Sequence, residues 1–288
     1  MPFENTLTEK TKLIDSGEKQ DLMNIQMVTR DSERSLPSTL KMFEALENSI
    51  DCKFRYIFVE NGSKDRTRQL VEQFLKTRTG TLQTPENAET IDDLVRPQRI
   101  AAARNTGTKF LDPKAKWTLL VDNDIYFDVH ALTALFAENP TENGYAMVCA
   151  FAELAKFNKQ TQKLQPLGHY YDTWTFTLNK NGKDLQIFWP HCVFEDCPVC
   201  QNHVQGRKLK KEGVIEVGSA YGGFALVRTA GILNKGVAYF SARVGDSCVM
   251  EHRITCELVP FCLSLAYNTG QKVVVATKSH VLYDGTNY

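Results

Sequence analysis

The 288-residue chain has no net charge and no long apolar run, and each absence excludes a class of protein. Its 34 Lys and Arg residues are matched by 34 Asp and Glu residues, so no overall positive field attracts nucleic acid or an anionic membrane. The longest apolar stretches, such as Trp117–Val121, fall far short of the roughly 20 residues of a membrane-spanning helix. We therefore predict no nucleic-acid partner and no membrane span.

The sequence has neither the cysteine density of a disulfide scaffold nor a secretory signal at its start. Eight cysteines are too few for a scaffold held together by disulfides. Residues 1–20 mix charged and polar side chains and have no apolar centre of the kind found in signal peptides. These features predict a mobile N-terminal arm over residues 1–20 and a cytoplasmic location.

One cysteine-rich segment has spacing that suits zinc. Cys197 and Cys200 form a CxxC pair, with His191, Cys192 and His203 close by. A structural zinc site usually joins two separated pairs of ligands, whereas these five candidates fall within a single short segment. We weigh a zinc site against reduced thiols in a loop and favour the thiols.

The order of predicted elements indicates an α/β fold. Apolar runs at residues 25–30 and 54–60 predict strands, and helical periodicity at residues 35–50 and 64–77 predicts a helix after each strand. Strands and helices that alternate with short connections form a parallel sheet with right-handed crossovers. Residues 152–216 are aromatic, Lys-rich and irregular, which predicts a second, more antiparallel layer.

Acidic and amide side chains follow two of the predicted strands. Asp122, Asn123 and Asp124 come directly after the apolar run WTLLV, and Glu60 ends the strand FRYIFVE. The carboxyl ends of parallel strands meet at one edge of a sheet, where ligands bind. Two carboxylates at that edge suit Mg²⁺ or Mn²⁺, which are held by one or two acids together with substrate phosphates. Because Asp and Asn also favour turns, an ordinary turn remains the alternative.

Three motifs in this order resemble the nucleotide-sugar glycosyltransferases of the GT-A fold. They are VENGSKDRT at residues 59–67, ARNTG at 103–107 and LVDND at 120–124, and the resemblance covers most of residues 24–150. It implies a Rossmann-like, mostly parallel sheet flanked by helices, with a smaller antiparallel acceptor-side layer. It further implies one domain over residues 21–288, with a nucleotide-sugar-binding half at 21–150 and an acceptor-binding and catalytic half at 151–288.

The resemblance also implies roles for individual residues. Asp122, Asp124 and the C-terminal His280 are the implied ligands of Mn²⁺ or Mg²⁺, although an ordinary edge histidine is an equal alternative for His280. Seven residues are implied to bind the donor or shape its pocket: Thr29, Arg30, Glu60, Asp65, Arg104, Asp122 and Asn123.

The catalytic carboxylate has three candidates, because the N-terminal half resembles the inverting synthase-like family whereas the C-terminal half departs from it. That family has a Glu-Asp pair after Gly-Gly-Phe, whereas here Leu258 follows Glu257. The segments YYDTW and CELVPFC resemble instead the fungal capsule-associated mannosyltransferases, a retaining group. Asp172 and Glu251 therefore compete with Glu257. For Glu257 the alternative role is an acid that complements a helix dipole, and for Asp172 it is a turn residue.

Aromatic residues are concentrated in the same half of the chain. Their flat rings suit stacking on the sugar faces of an acceptor, but at strand spacing half of them must point inward, so a core position is favoured for each. These residues are Tyr170, Tyr171, Trp174, Phe176, Phe188 and Trp189.

Together these features predict a metal-dependent glycosyltransferase that moves a hexosyl or pentosyl group from a UDP- or GDP-sugar to a hydroxyl of a glycan acceptor. The cation is needed because breaking the anomeric bond leaves negative charge on the nucleoside diphosphate. One alternative is a nucleotidyltransferase, which usually has a glycine-rich loop after its first strand, and TRDSERS at residues 29–35 has no glycine. The other is a non-catalytic protein of the same fold that binds sugar nucleotides or glycans.

Overall fold

The computed structural model describes residues 9–85, 96–158, 160–161, 163–172, 175–180, 183–186, 213–239 and 256–284. The helices are α1 (Leu36–Ser49), α2 (Thr67–Leu75), α3 (Arg96–Thr108), α4 (Val129–Ala137), α5 (Thr229–Ile232) and α6 (Leu258–Thr269). The strands are β1 (Ile14–Asp15), β2 (Glu18–Lys19), β3 (Leu22–Thr29), β4 (Lys53–Glu60), β5 (Gly80–Gln83), β6 (Trp117–Val121), β7 (Ile125–Tyr126), β8 (Tyr145–Asn158), β9 (Lys163–Tyr170), β10 (Thr177–Lys180), β11 (Lys183–Gln186), β12 (Val214–Val217), β13 (Phe224–Arg228) and β14 (Lys272–Asp284).

One large sheet forms the centre of the described structure. Its strand order is β12–β14–β8–β13–β6–β3–β4–β5, with β7 and β9 paired to β14 and β8. The run β6–β3–β4–β5 is parallel throughout, as the alternation of strands and helices predicts. All five residues of β6 are buried, because helices cover both faces of a parallel sheet. The carboxyl ends of β3, β4 and β6 therefore open onto the same edge.

The second half of the chain joins this sheet for most of its described length. Strand β13 lies antiparallel between β6 and β8, and β14 runs parallel to β8. The expected separate antiparallel layer is confined, among the described residues, to the β10–β11 hairpin, because β9 and β12 also pair antiparallel but within the central sheet. A register shift in β14 between Ala276 and His280 lets the end of this long strand reach β7. The last residues of β14 thus lie beside the segment that follows Asp124.

The helices begin and end where their sequences indicate. Helix α4 starts at Asp128, whose side chain accepts a hydrogen bond from the Ala131 amide at 2.9 Å. Helix α6 ends at Gly270, whose left-handed conformation favours glycine. Among the helices in the described ranges, none has both the length and the apolar character that a membrane crossing requires.

The N-terminal segment differs from the sequence-based expectation. Leu13 is buried, and the carboxylate of Asp15 is fully buried next to Trp117 and Thr141. It accepts hydrogen bonds from the Trp117 Nε1 at 3.0 Å and from the Thr141 amide at 2.9 Å, and lies 3.1 Å from the Lys116 Nζ. The prediction of a mobile arm through residue 20 is therefore wrong for residues 13–20, because contacts with distant residues anchor this segment.

Asp15→Ala is expected to lower the free energy of unfolding by about 3 kcal/mol, because it leaves buried donors without their acceptor. Burial opposes the ionisation of Asp15, but bonds from Thr141, Lys116 and Trp117 outweigh it and hold the pKa below its ordinary value. The loss should therefore be complete at neutral pH and shrink as the pH falls below about 4. Urea unfolding measures it, with the exposed Asp21→Ala as control. Equal midpoints for the two variants would contradict this account.

Candidate active site

A cavity of about 520 Å³ opens at the carboxyl ends of the parallel strands. Its wall contains Arg30 and Asn61, which follow β3 and β4. The group Asp122–Asn123–Asp124 after β6 lies in the same wall, and Asp172 and Glu257 come from the second half of the chain. The cavity therefore joins the two halves that the sequence analysis distinguishes.

The cavity carries many fixed charges of both signs. Five carboxylates line it, together with four arginines. The carboxylates are Asp31, Asp122, Asp124, Asp172 and Glu257, and the arginines are Arg30, Arg96, Arg99 and Arg104. A guanidinium group can donate two parallel hydrogen bonds to two phosphate oxygens, and carboxylates bind hard cations. This lining therefore suits a charged ligand such as a diphosphate with its cation.

Arg104 is the centre of a buried network. Its Nη2 lies 3.0 Å from Asp122 Oδ1, its Nε lies 3.3 Å from Glu257 Oε1, and its Nη1 donates to the Tyr221 hydroxyl at 3.3 Å. The Tyr221 hydroxyl in turn donates to Asp122 Oδ1 at 3.0 Å. The guanidinium also lies over the Tyr221 ring, 4.7 Å from its centroid. One buried cation thus links an acid of the first half to an acid of the second.

The two acids after β6 are in different environments. The side chain of Asp122 is 34% exposed and is fixed by Arg104 and Tyr221. Burial and the negative charge of Asp122 raise the pKa of Asp124 to about 7, although the positive charge of Arg96 partly offsets this. A cation between these carboxylates would remove the repulsion that raises this pKa.

Asn123 fixes the turn between these acids rather than pointing freely into the cavity. Its Nδ2 donates to the Thr29 Oγ1 at 3.3 Å and to the Ser32 Oγ, while its carbonyl accepts from the Thr39 Oγ1 at 3.0 Å. Thr29 is buried and does not line the cavity. Thr29 and Asn123, which were expected to bind the sugar-nucleotide donor, are thus hydrogen-bonded to each other.

Two adjacent glycines bring Asp172 to the same site. Gly222 and Gly223 both have positive φ, and a Cβ at Gly222 would lie 2.6 Å from the Ala150 carbonyl oxygen. The Gly222 amide donates to Asp172 Oδ2 at 2.8 Å, and the Gly223 carbonyl accepts from the Asp122 amide at 2.8 Å. The glycine pair thereby ties both acids to one turn.

Asp172 is held by hydrogen bonds on one oxygen. Besides the Gly222 amide, the Thr175 Oγ1 donates to its Oδ2 at 2.6 Å. Burial raises the pKa of Asp172 to about 6, with further contributions from the charges of Asp122 and Glu257, while the two hydrogen bonds oppose the rise. The acid is thus ionised at neutral pH but costly to desolvate further.

At the end of β4, the residue that lines the cavity is Asn61 and not the expected Glu60. Glu60 is buried, accepts a hydrogen bond from the Ser63 amide and pairs with Arg68 at 3.5 Å, and it does not line the cavity. Its neighbour Asn61 does line the cavity. Only 3% of Asn61 is exposed, and its Oδ1 receives no hydrogen bond from the described residues. A buried acceptor without a donor suits a ligand that supplies one.

Asp65 also has a structural role. It accepts hydrogen bonds from the Thr67 amide and from the Glu33 amide, each at 2.9 Å, and so joins the loops after β4 and β3. Because its oxygens face these loops, it does not line the cavity. Asp65 thus ties the loop that carries Arg30 and Asp31 to the loop after β4.

His280 does not lie in the cavity wall. Its Nδ1 is 3.5 Å from Glu153 Oε2, and its ring lies 5.5 Å from that of Phe151. Tyr283, on the same regular stretch of β14, does line the cavity. Residues at odd separation in a strand project from opposite faces, so His280 projects from the face of β14 opposite to that of Tyr283. No group of three His, Cys, Asp or Glu side chains arranged for a metal ion occurs within the described ranges.

The aromatic candidates divide between core and cavity. Tyr170 and Phe176 are buried and pack together with ring centroids 5.3 Å apart, which confirms the core interpretation for both. Tyr171 stacks on Tyr283 at 3.6 Å, and both rings line the cavity. Trp174, Phe188 and Trp189 lie outside the described residues.

Seven of the predicted site residues meet in one cavity: Arg30, Arg104, Asp122, Asn123, Asp124, Asp172 and Glu257. Glu251 lies outside the described residues, and so do the zinc candidates His191, Cys192, Cys197, Cys200 and His203. Six further residues line the cavity without having been predicted from the sequence: Asp31, Asn61, Arg96, Arg99, Tyr221 and Tyr283. The sequence does carry signals for some of them, since RPQR precedes the ARN motif and Tyr221 precedes the glycine pair.

Solved structures share this fold at low sequence identity. S. aureus TarS 1-349 superposes with a TM-score of 0.51 at 13% identity, covering 91% of this chain and 60% of that chain. TarS 1-349 in complex with UDP-GlcNAc gives a TM-score of 0.51 at 15% identity, with 91% and 58% covered. The chain thus spans about three fifths of the TarS 1-349 chain, and at this identity the likeness shows the fold alone.

The expected GT-A architecture, with its mostly parallel central sheet, is confirmed by this likeness. A search of curated proteins finds no match. The family described as Cryptococcal mannosyltransferase 1 matches residues 18–257, which is most of the chain and includes every cavity residue except Leu258 and Tyr283. The chain therefore belongs to this family and has the GT-A fold.

Proposed function

We propose that the chain transfers a sugar, mannose in the first instance, from a nucleoside diphosphate donor to a hydroxyl group of a glycan, with the help of a divalent cation. The observation that carries the proposal is the convergence of Asp122, Asp124, Asp172 and the arginines on one cavity. The family description supports mannose as the sugar. The UDP-GlcNAc complex of the similar TarS structure supports a nucleotide-sugar donor.

Asp122 and Asp124 would hold the cation. The donor set fits Mg²⁺ or Mn²⁺, because two carboxylates at a strand end leave positions for water and for donor phosphates. Bound there, the cation supplies Lewis-acid neutralisation of the charge that develops on the diphosphate. The raised pKa of Asp124, which burial and Asp122 cause, supports a site that is built for a positive charge.

The first turn of α3 would bind the diphosphate from the other side. Arg96 and Arg99 both line the cavity from this turn. Guanidinium groups bind phosphate oxygens in a planar, two-pronged geometry, and the helix N-terminus adds its own partial positive charge. With the diphosphate between these arginines and the acid pair, the two ends of the donor would extend toward opposite ends of the cavity.

The nucleoside would lie beside Asn61. Asn61 and Arg30 follow β4 and β3, whereas Asp172 is bonded to the Gly222 amide just before β13, and β6 lies between β13 and β3 in the sheet. The buried Oδ1 of Asn61 would accept a hydrogen bond from an N–H of the base or a hydroxyl of the ribose. Such a contact persists through the reaction and therefore contributes to donor binding rather than to the rate of chemistry.

Asn61→Ala is accordingly expected to raise the KM for the donor about tenfold and to leave kcat within about twofold of the wild-type value. Initial rates at varied donor concentration measure both constants. Asn143→Ala removes an exposed amide outside the cavity and serves as control. A fall in kcat with no change in KM would contradict the nucleoside contact.

Asp172 would be the carboxylate beside the reacting sugar carbon. In the reaction the bond between the anomeric carbon and the diphosphate oxygen breaks, with its electron pair going to the diphosphate. The acceptor oxygen bonds to the carbon, and its proton goes to the Asp172 carboxylate in an inverting course or to the departing diphosphate oxygen in a retaining one. A carboxylate at this carbon stabilises the developing positive charge in either stereochemical course. Glu257 is less suited, because it is 3% exposed and paired with Arg104.

A role for ionised Asp172 gives a defined pH dependence. Burial raises the pKa of Asp172 to about 6, so kcat should fall as the pH drops through this value. Thr175→Val removes a hydrogen bond that favours the ionised form, and the midpoint should move to higher pH. Thr175→Ser keeps the hydroxyl and should retain the wild-type midpoint. If kcat is constant between pH 5 and 7.5, or if both variants behave alike, this role is wrong.

A donor screen tests the proposed function as a whole. GDP-mannose, UDP-GlcNAc and UDP-glucose are each incubated with the protein in Mn²⁺, in Mg²⁺ and in EDTA, and release of the nucleoside diphosphate is measured. We expect one donor, most directly GDP-mannose, to be hydrolysed slowly in the presence of the cation and not in EDTA. Release that is insensitive to EDTA would contradict the cation. Binding of a donor without turnover would indicate a non-catalytic binding protein.

A further inference from the structure

We infer that Glu257 is a positioning residue, whose charge keeps Arg104 from neutralising the cation ligand Asp122. The inference rests on the proposed function, since it concerns the cation that Asp122 and Asp124 would hold. It assigns to Glu257 a role other than direct contact with the sugar.

The contacts of Arg104 show how its charge is shared. The guanidinium lies between two carboxylates, with Nη2 at 3.0 Å from Asp122 Oδ1 and Nε at 3.3 Å from Glu257 Oε1. Arg104 and Glu257 are each about 3% exposed, so water screens their interaction little. Because the single positive charge of Arg104 is shared by two carboxylates, it neutralises Asp122 only in part. Asp122 can therefore still attract the divalent cation.

The side chain of Asp122 is oriented for that purpose. Arg104 and the Tyr221 hydroxyl both donate to the same oxygen, Oδ1, each at 3.0 Å. These two donors fix the rotamer, and the side chain is 34% exposed toward the cavity. Hydrogen-bond partners of a metal-binding side chain fix its orientation and influence how much negative charge it presents to the metal.

Glu257 does not act as a helix cap. It directly precedes α6, but its side chain makes no capping hydrogen bond there. Its carboxylate faces Arg104 and accepts a weak hydrogen bond from the Cys256 Sγ at 3.4 Å. The position therefore contributes a negative charge to Arg104, and an uncharged residue of the same shape would lack that effect.

Removing the charge of Glu257 should weaken cation binding. In Glu257→Gln the guanidinium would face Asp122 alone and compete with the cation for it. We expect the affinity of the donor-free protein for Mn²⁺, measured by calorimetry or by the Mn²⁺ resonance signal, to fall about tenfold. The kcat for sugar transfer should recover as Mn²⁺ is raised. Glu216→Gln, which removes an exposed acid paired with Lys272, is the control and should bind Mn²⁺ as the wild type does.

A second background separates this effect from general damage. In Arg104→Gln there is no guanidinium to restrain, so adding Glu257→Gln should change Mn²⁺ affinity by less than about twofold. If the single variant Glu257→Gln does not fold, the comparison of Arg104→Gln with the double variant still provides a test, because the double variant leaves neither buried charge unpaired. An equal loss of affinity in both backgrounds would overturn the inference.

Other outcomes are equally decisive. If Glu257→Gln binds Mn²⁺ normally and loses kcat at every Mn²⁺ concentration, Glu257 acts on the substrate and the inference is wrong. If the wild type binds no Mn²⁺, the cation site and the inference fail together. If the wild type binds Mn²⁺ but turns over no donor, the proposed function fails, whereas the comparison of Mn²⁺ affinities still tests the role of Glu257.

Discussion

Asp124→Ala is expected to abolish both sugar transfer and donor hydrolysis, with a fall in kcat of at least about a thousandfold. A cation that neutralises the departing diphosphate lowers the activation free energy by several kcal/mol, and each 1.4 kcal/mol corresponds to about a factor of ten in rate. Asp124 would be its direct ligand, so its removal should cost most of that stabilisation. Rates of transfer and of nucleoside diphosphate release measure the effect.

The Asp124→Ala protein should remain folded. Burial and the charge of Asp122 raise the pKa of Asp124 to about 7, so its carboxylate destabilises the cation-free protein at neutral pH. The midpoint of thermal unfolding should therefore equal or exceed that of the wild type. Asp128→Asn changes a nearby acid outside the cavity while keeping the helix cap, and it should retain activity. Full activity of Asp124→Ala would refute the cation role.

Asp172→Asn is expected to lower kcat by about a thousandfold while the KM for the donor changes by less than about threefold. A carboxylate that acts only as charge develops on the sugar affects the chemical step and not ground-state binding. Asparagine retains the oxygen that accepts hydrogen bonds from Thr175 and Gly222, so the local structure should persist. Pre-steady-state and steady-state rates with saturating donor measure the loss.

The comparison with Glu257→Gln makes this test specific. Asp172→Asn should not recover activity when Mn²⁺ is raised, whereas Glu257→Gln should recover. If the two variants exchange these behaviours, Glu257 is the carboxylate beside the sugar and Asp172 is not. A modest loss in Asp172→Asn, below about tenfold, would also exclude it from the chemical step.

Local sequence patterns predicted the parts of the site that depend on strand order. The alternation of strands and helices placed the ends of β3, β4 and β6 at one edge, and Asp122 and Asp124 lie there. Arg104 was identified from its motif, and its contact with Asp122 follows from the packing of α3 on the sheet. These elements come from one continuous part of the chain.

Strand register was not available from the sequence. Whether Glu60 or Asn61 faces the cavity depends on where β4 ends, and the structure turns Glu60 toward Ser63 and Arg68. The same limit applies to β14, where the side facing the cavity is set by its register after the shift that ends at His280. A shift of one residue exchanges the two faces of a strand, and nothing local in the sequence fixes it.

Contacts between distant residues were also out of reach. Glu257 pairs with Arg104 although 153 residues separate them, and Asp15 bonds to Trp117 across 102 residues. The polar composition of residues 1–20 predicts a mobile arm because local patterns carry no information about such partners. Tertiary burial of Leu13 and Asp15 outweighs that local preference.

The most direct test of the cation site is a crystal structure with Mn²⁺ and the nucleoside diphosphate of the preferred donor, using anomalous scattering to locate the metal. We predict a Mn²⁺ ion bonded to Asp124 and Asp122 and to phosphate oxygens of the diphosphate. A diphosphate bound elsewhere, or a metal peak away from these two carboxylates, would contradict the account.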